Sequence, residues 1–167
     1  DLAQEGGHVV IAGFGRVGQT LADILDKQEI SYIAVDSDSA LVASRRDDDA
    51  PVHYGDSSRR DVLAAIGAAN AAAIVVTIND PDAVQLIVAQ AKQAWPHIPV
   101  YARARDGAHA RRLHDLGAAL ASPDTIETAL QLGEALLNGI GVPDEAARRI
   151  IDERREAEIA KALYRAP

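Results

Sequence analysis

Residues 8–25 read HVVIAGFGRVGQTLADIL: an apolar run, three glycines at fixed offsets, then an amphipathic pattern. The run over 8–13 predicts a buried strand, and RVGQTLADILDKQ (16–28) predicts the helix that follows it. Between them Gly13, Gly15 and Gly18 spell G-x-G-x-x-G, a spacing that gains meaning only between a strand and a helix. Gly13 permits the tight turn, Gly15 lets backbone approach a phosphate, and Gly18 lets the helix pack on the strand. The helix start then offers free N–H groups and a positive dipole end to an anion. Gly13, Phe14, Gly15, Arg16, Val17 and Gly18 are therefore the candidate phosphate loop.

Working outward, strand and helix patterns alternate along the whole chain. SYIAVD (31–36), PVHYGD (51–56), AAAIVVTI (71–78), PVYARA (99–104) and AALAS (118–122) read as further strands. Helical patterns cover 37–47, 57–67, 80–95, 106–117 and 123–138, with serines opening the second, Pro81 in the first turn of the third, Gly117 ending the fourth and Pro123 near the start of the last. After the turn-rich GIGVP, residues 144–166 read as a charged terminal helix with apolar positions at Ala147, Ile150, Ile151, Ala157 and Ala160. The expected fold class is α/β: a Rossmann-type, doubly wound, six-stranded parallel sheet of order 3-2-1-4-5-6 with a C-terminal helical extension. Residues 1–7 read as a linker, 8–122 as the nucleotide-binding lobe, and 123–167 as the extension, expected to contact a dimer partner or a membrane domain.

The 167 residues suit one compact unit, and no segment approaches the roughly 18 apolar residues of a membrane span. The opening DLAQEGG has neither a basic start nor an apolar core, so it reads as neither a signal peptide nor a natural N-terminus, and the chain reads as part of a longer protein. The absence of Cys excludes disulfides and thiol chemistry and favours the cytoplasm. A net charge of -8 argues against nucleic acid as a partner, since phosphate contacts need clustered Lys and Arg.

Asp36, at the end of the second strand, lies 18 positions after Gly18, near the interval of about 20 at which a carboxylate holds ribose hydroxyls. Ser37 follows without a basic residue, and Arg45 and Arg46 come too late to meet a 2′-phosphate, so NAD(H), AMP or another adenine nucleotide is expected rather than NADP. Asp56 and Ser57, after the third strand, border the expected adenine pocket, where Asp56 would accept from an exocyclic amine; helix capping competes for both. Thr77 and Asn79 end the fourth strand at the edge where doubly wound sheets bind ligands. Asp80 is better explained as a helix cap before Pro81. Arg103 closes the fifth strand at the same edge and would neutralise a phosphate or another acidic ligand.

IAGFGRVGQTLA, YIAVDSD, YGDSSRRDVLAAIGA, VVTINDPD and YARARD together resemble the RCK, or KTN (TrkA-N type), domain that regulates potassium channels and transporters. GFGRVGQ, YGD and YARARD are most similar to the cytoplasmic domain of Kef-type potassium/proton antiporters. The resemblance spans about His8 to Leu137 and implies a lobe that binds NAD(H) or an adenine nucleotide such as AMP, on the cytoplasmic side of the inner membrane. It implies that paired lobes transmit ligand state to a membrane transporter domain. Gly13, Gly15, Gly18, Asp36, Asp56 and Thr77 match the family's ligand positions, and Arg103 matches the one tied to a glutathione-type effector. Only about 30 residues follow Leu137, so the second ligand-binding subdomain of fuller channel regulators is absent from this stretch.

The competing class is an NAD-dependent oxidoreductase lacking its substrate-binding part, since a fold does not determine function. No Tyr-x-x-x-Lys occurs, and His53, His97, His109 and His114 fall in no acid/base pairing. Asp47, Asp48 and Asp49 lack calcium-loop spacing and read as a solvated loop. No catalytic or metal-ligating residue is assigned. A plain dimerisation module would leave the glycine fingerprint without a use. TIETALQLGEALL, with Ile126, Leu130, Leu132, Ala135, Leu136 and Leu137, carries more apolar surface than one sheet face needs, which predicts a homodimer through the later helices.

Overall fold

In a computed structural model, residues 7–122 and 125–164 are described. Six strands, β1 (Val9–Ala12), β2 (Tyr32–Asp36), β3 (Val52–Tyr54), β4 (Ala73–Val76), β5 (Val100–Arg103) and β6 (Leu120–Ser122), form one sheet of order β3-β2-β1-β4-β5-β6. Every pairing is parallel, with Ala12 level with Val35 on one side and Val76 on the other. Seven α-helices occur among the described residues: α1 (Arg16–Lys27), α2 (Ser39–Asp47), α3 (Arg60–Ala65), α4 (Pro81–Ala94), α5 (Gly107–Asp115), α6 (Thr125–Gly139) and α7 (Asp144–Tyr164). The expected fold class and strand order are those observed.

Alternation along the central strands sends successive side chains to opposite faces. Val9 and Ile11 of β1 join Leu21 and Leu25 of α1, Leu132 and Leu136 of α6 and Ile151 of α7 in one core. Val10 and Ala12 join Ile87 and Val88 of α4 and Leu113 of α5 in the other. All four β1 residues are fully buried, as both faces of a parallel sheet must be.

Helix boundaries follow local capping. Asp38 caps α2 by accepting from the Ala40 and Leu41 N–H groups, and Asp80 caps α4 by accepting from Asp82 and Ala83, with Pro81 in the first turn. Gly117, just past α5, adopts the left-handed conformation (φ 108°) that ends the helix. α3 is shorter than the pattern over 57–67 suggests. The Asp56 carboxylate takes the Ser58 amide (2.9 Å) and hydroxyl (2.6 Å), which holds residues 56–58 in a turn, and the helix starts at Arg60 without a side-chain cap.

The apolar surface of α6 is spent within the chain. Leu130, Leu132, Leu136 and Leu137 are at most 1% exposed, sunk between α1, α7 and the sheet, and Ala135 packs against the same core. The side chain of Ile126 lies outside the described residues. These residues therefore give no exposed patch, and the reason offered for a homodimer through them does not hold: periodicity marks an apolar face but not what covers it. α7 is the cover, tied to α6 where the Arg155 guanidinium donates to both Glu127 carboxylate oxygens (2.7 and 3.3 Å).

Candidate functional site

Strand order reverses between β1 and β4, so the connections leaving their carboxyl ends diverge and open a crevice. A cleft of about 840 Å³ lies there, and eleven of the thirteen candidate residues line it: Gly13, Gly15, Arg16, Val17, Asp36, Ser37, Asp56, Ser57, Thr77, Asn79 and Arg103. Phe14 and Gly18 do not. The Phe14 ring is 3% exposed and stacks on Tyr32 in the core, so only its backbone belongs to the loop. Gly18 is needed for close approach: a Cβ there would fall inside contact distance of the Gly13 carbonyl oxygen.

Gly13 turns the chain at φ 105°, a conformation costly for any residue with a Cβ. Gly15 precedes α1, and a Cβ there would meet no protein atom within 4 Å, so the space beside it belongs to the cleft. Because the Gln19 N–H is the first to reach back to the Gly15 carbonyl, the first-turn N–H groups of α1 have no intrahelical partner.

Both Asp36 oxygens are engaged by backbone: Oδ2 accepts from the Phe14 N–H at 2.7 Å and Oδ1 from the Asp38 N–H at 2.8 Å. The carboxylate is thereby fixed at the cleft wall with its remaining lone pairs unspent. Asp36 does not cap the following helix; Asp38 does. Arg45 and Arg46 are turned elsewhere, the first pairing with Asp48 and the second donating to the Val52 carbonyl.

Asp56 is exposed, and the Ser58 hydroxyl and amide hold its carboxyl below the usual carboxylate range. Thr77 is 5% exposed, and its hydroxyl lies 2.6 Å from the Gly13 carbonyl oxygen and 3.3 Å from that of Ala12, so its proton is used inside the protein. Asn79 and Arg103 reach both the main cleft and a neighbouring pocket of about 180 Å³, which Arg105 and His109 help to line. Neither Arg103 nor Arg16 makes an ion pair among the described residues. The His109 ring accepts from the Arg105 N–H at Nδ1 (3.0 Å) and has Nε2 3.0 Å from the Pro81 carbonyl oxygen, which ties α5 to the loop after β5 and to the first residue of α4.

Ser58, Ile78, Asp80, Ala83 and Val35 also line the cleft and were not assigned to it from sequence. Their common signal is position beside the carboxyl ends of the strands: Val35 lies one residue before the end of β2, Ser58 four residues past that of β3, and Ile78, Asp80 and Ala83 two, four and seven residues past that of β4. No group of three or more potential metal ligands occurs among the described residues, and no helix among them is long and apolar enough to cross a membrane.

A parallel sheet of this order, with a glycine turn and an acid facing one crevice at the switch point, defines a Rossmann-type domain. The chain belongs to the TrkA-N domain family, whose model matches residues 9–123. It is 38% identical over 157 residues to a putative K(+) efflux antiporter KefB of Alkalimonas amylolytica, covering 93% of this chain and 24% of that protein. The Shewanella denitrificans Kef C-terminal domain in its AMP-bound form is 32% identical with a TM-score of 0.64, covering 93% of this chain and 94% of that one. The GsuK channel bound to NAD is 27% identical with a TM-score of 0.65, covering 83% of this chain and 24% of that channel.

Proposed function

We propose that this chain is the ligand-sensing regulatory domain of a potassium transport system, binding AMP, NAD(H) or another adenine nucleotide and biasing ion flux without turning the ligand over. The observation that carries the proposal is the convergence on one cleft of the glycine turn, the fixed Asp36 carboxylate, and Arg16 and Arg103, which make no ion pair among the described residues. In this reading the first-turn N–H groups of α1 hold a phosphate, Asp36 holds ribose hydroxyls, Asp56 and Ser57 border the base, and Thr77, Asn79 and Arg103 close the far wall. The AMP- and NAD-bound relatives support the ligand class, and the antiporter relative supports the setting. A cytoplasmic position beside the membrane, pairing of two copies, and an acidic glutathione-type effector at Arg103 belong to the same proposal.

Without turnover, occupancy acts only through a difference in affinity between two states of the domain, about 1.4 kcal/mol per site for a tenfold preference. A path from the cleft to the C-terminal helices runs through α1: it packs directly on α6, and Arg154 of α7 reaches Asp23 of α1 at 3.7 Å. In vesicles holding the full transporter, AMP or NADH is expected to change potassium flux and Asp36→Ala to move that response to roughly ten- to a hundredfold higher ligand concentration, while NADH is not consumed. NADH consumption at about one turnover per second or more would instead support the oxidoreductase reading.

A further inference from the structure

The peptide unit joining Gly13 to Phe14 is held at both poles by side chains from opposite neighbouring strands. Its carbonyl accepts from the Thr77 hydroxyl, just past β4, at 2.6 Å, and its N–H donates to Asp36 Oδ2, at the end of β2, at 2.7 Å. The backbone ladder stops one step earlier, where the Gly13 N–H reaches the Val35 carbonyl and the Thr77 N–H reaches that of Ala12. The two side chains thus extend the sheet by one peptide into the turn. That peptide cannot rotate without losing both bonds, and its orientation determines where the N–H groups of the following residues point. The Phe14 N–H is consumed in the clamp, which leaves Gly15, Arg16 and Val17 as the loop's outward donors. Gly18 presses on the same Gly13 carbonyl, and its absent Cβ would also come within 3.3 Å of Thr77 Oγ1.

From this geometry we infer that Thr77 is a positioning residue: it acts on the ligand's phosphate through the Gly13–Phe14 peptide rather than by touching the ligand. The inference deepens the proposed nucleotide reading and rests on it. To donate to a phosphate oxygen the hydroxyl would have to give up the short bond to Gly13, since its single proton is spent there and its burial offers little water to replace that bond.

Thr77→Val keeps the shape and removes the donor, and Thr77→Ser restores the donor. Calorimetric titration with AMP, with phosphate-free adenosine as the comparison probe, reads the ligand side; amide hydrogen exchange at Phe14 in the unliganded chain reads the clamp itself. Thr77→Val is expected to weaken AMP by about tenfold, leave adenosine within about twofold, and speed Phe14 exchange by about tenfold. Thr77→Ser is expected to restore AMP binding and exchange. Loss of AMP and adenosine in equal measure, failure of serine to rescue, or unchanged Phe14 exchange would overturn the inference. If the unaltered chain bound neither probe, the nucleotide reading would fall, while the exchange measurement would still decide whether the clamp exists.

Discussion

Replacing Asp36 with alanine is expected to weaken AMP and NADH binding by roughly ten- to a hundredfold while leaving the sheet intact. The carboxylate is anchored by the Phe14 and Asp38 N–H groups, so its direction is determined before any ligand arrives. Two lone-pair positions remain, and a charge-assisted hydrogen bond from a ribose hydroxyl is worth about 1.5 to 3 kcal/mol. Alanine removes that acceptor and also frees one pole of the Gly13–Phe14 peptide. Asp36→Asn, which keeps an oxygen but loses the charge, should fall between the two. Calorimetry showing equal affinity in the alanine variant would remove Asp36 from the site.

Gly18→Ala is expected to have the largest effect on stability. A Cβ at Gly18 collides with backbone, the Gly13 carbonyl oxygen, and not with the tip of a flexible side chain. α1 would have to back away from β1, opening the packing around Leu21 and Leu25, both fully buried. A cost of about 3 kcal/mol is expected, which for a domain of this size lowers the melting temperature by roughly 10 °C. Gly15→Ala supplies the contrast. A Cβ there meets no protein atom within 4 Å, so stability should fall by no more than about 1 kcal/mol, whereas the methyl would project into the space assigned to phosphate and abolish tight binding. Equal melting temperatures for the two variants would show that the glycines do not divide their work in this way.

Much of this arrangement is legible in the sequence because it rests on local rules. The period-two and period-3.6 patterns place strands and helices, Asp80-Pro81 and Gly117 mark helix ends, and three glycines before a strand-terminal acid locate the crevice. What escaped sequence reading depends on groups far apart in the chain. The hydroxyl of Thr77 looks free in VVTIND, and only the pairing of β4 with β1 brings it to Gly13, 64 positions away. Phe14 looks like a loop residue until Tyr32 is found beneath it. The leucines of α6 look like surplus surface until α7 and α1 are seen to cover them. At YGDSS, holding the turn and lining the cleft are compatible uses of one residue: Asp56 binds Ser58 and still borders the cleft, while α3 begins without a side-chain cap.

The central claim, that this cleft binds an adenine nucleotide through the glycine turn and Asp36, is tested most directly by equilibrium titration of the 167-residue chain with AMP, NADH and NADPH. The account predicts saturable binding of AMP and NADH at one site per chain, and NADPH weaker by about tenfold or more because its 2′-phosphate would meet the Asp36 carboxylate. Absence of binding by both AMP and NADH at millimolar concentration, or NADPH binding as tightly as NADH, would contradict it.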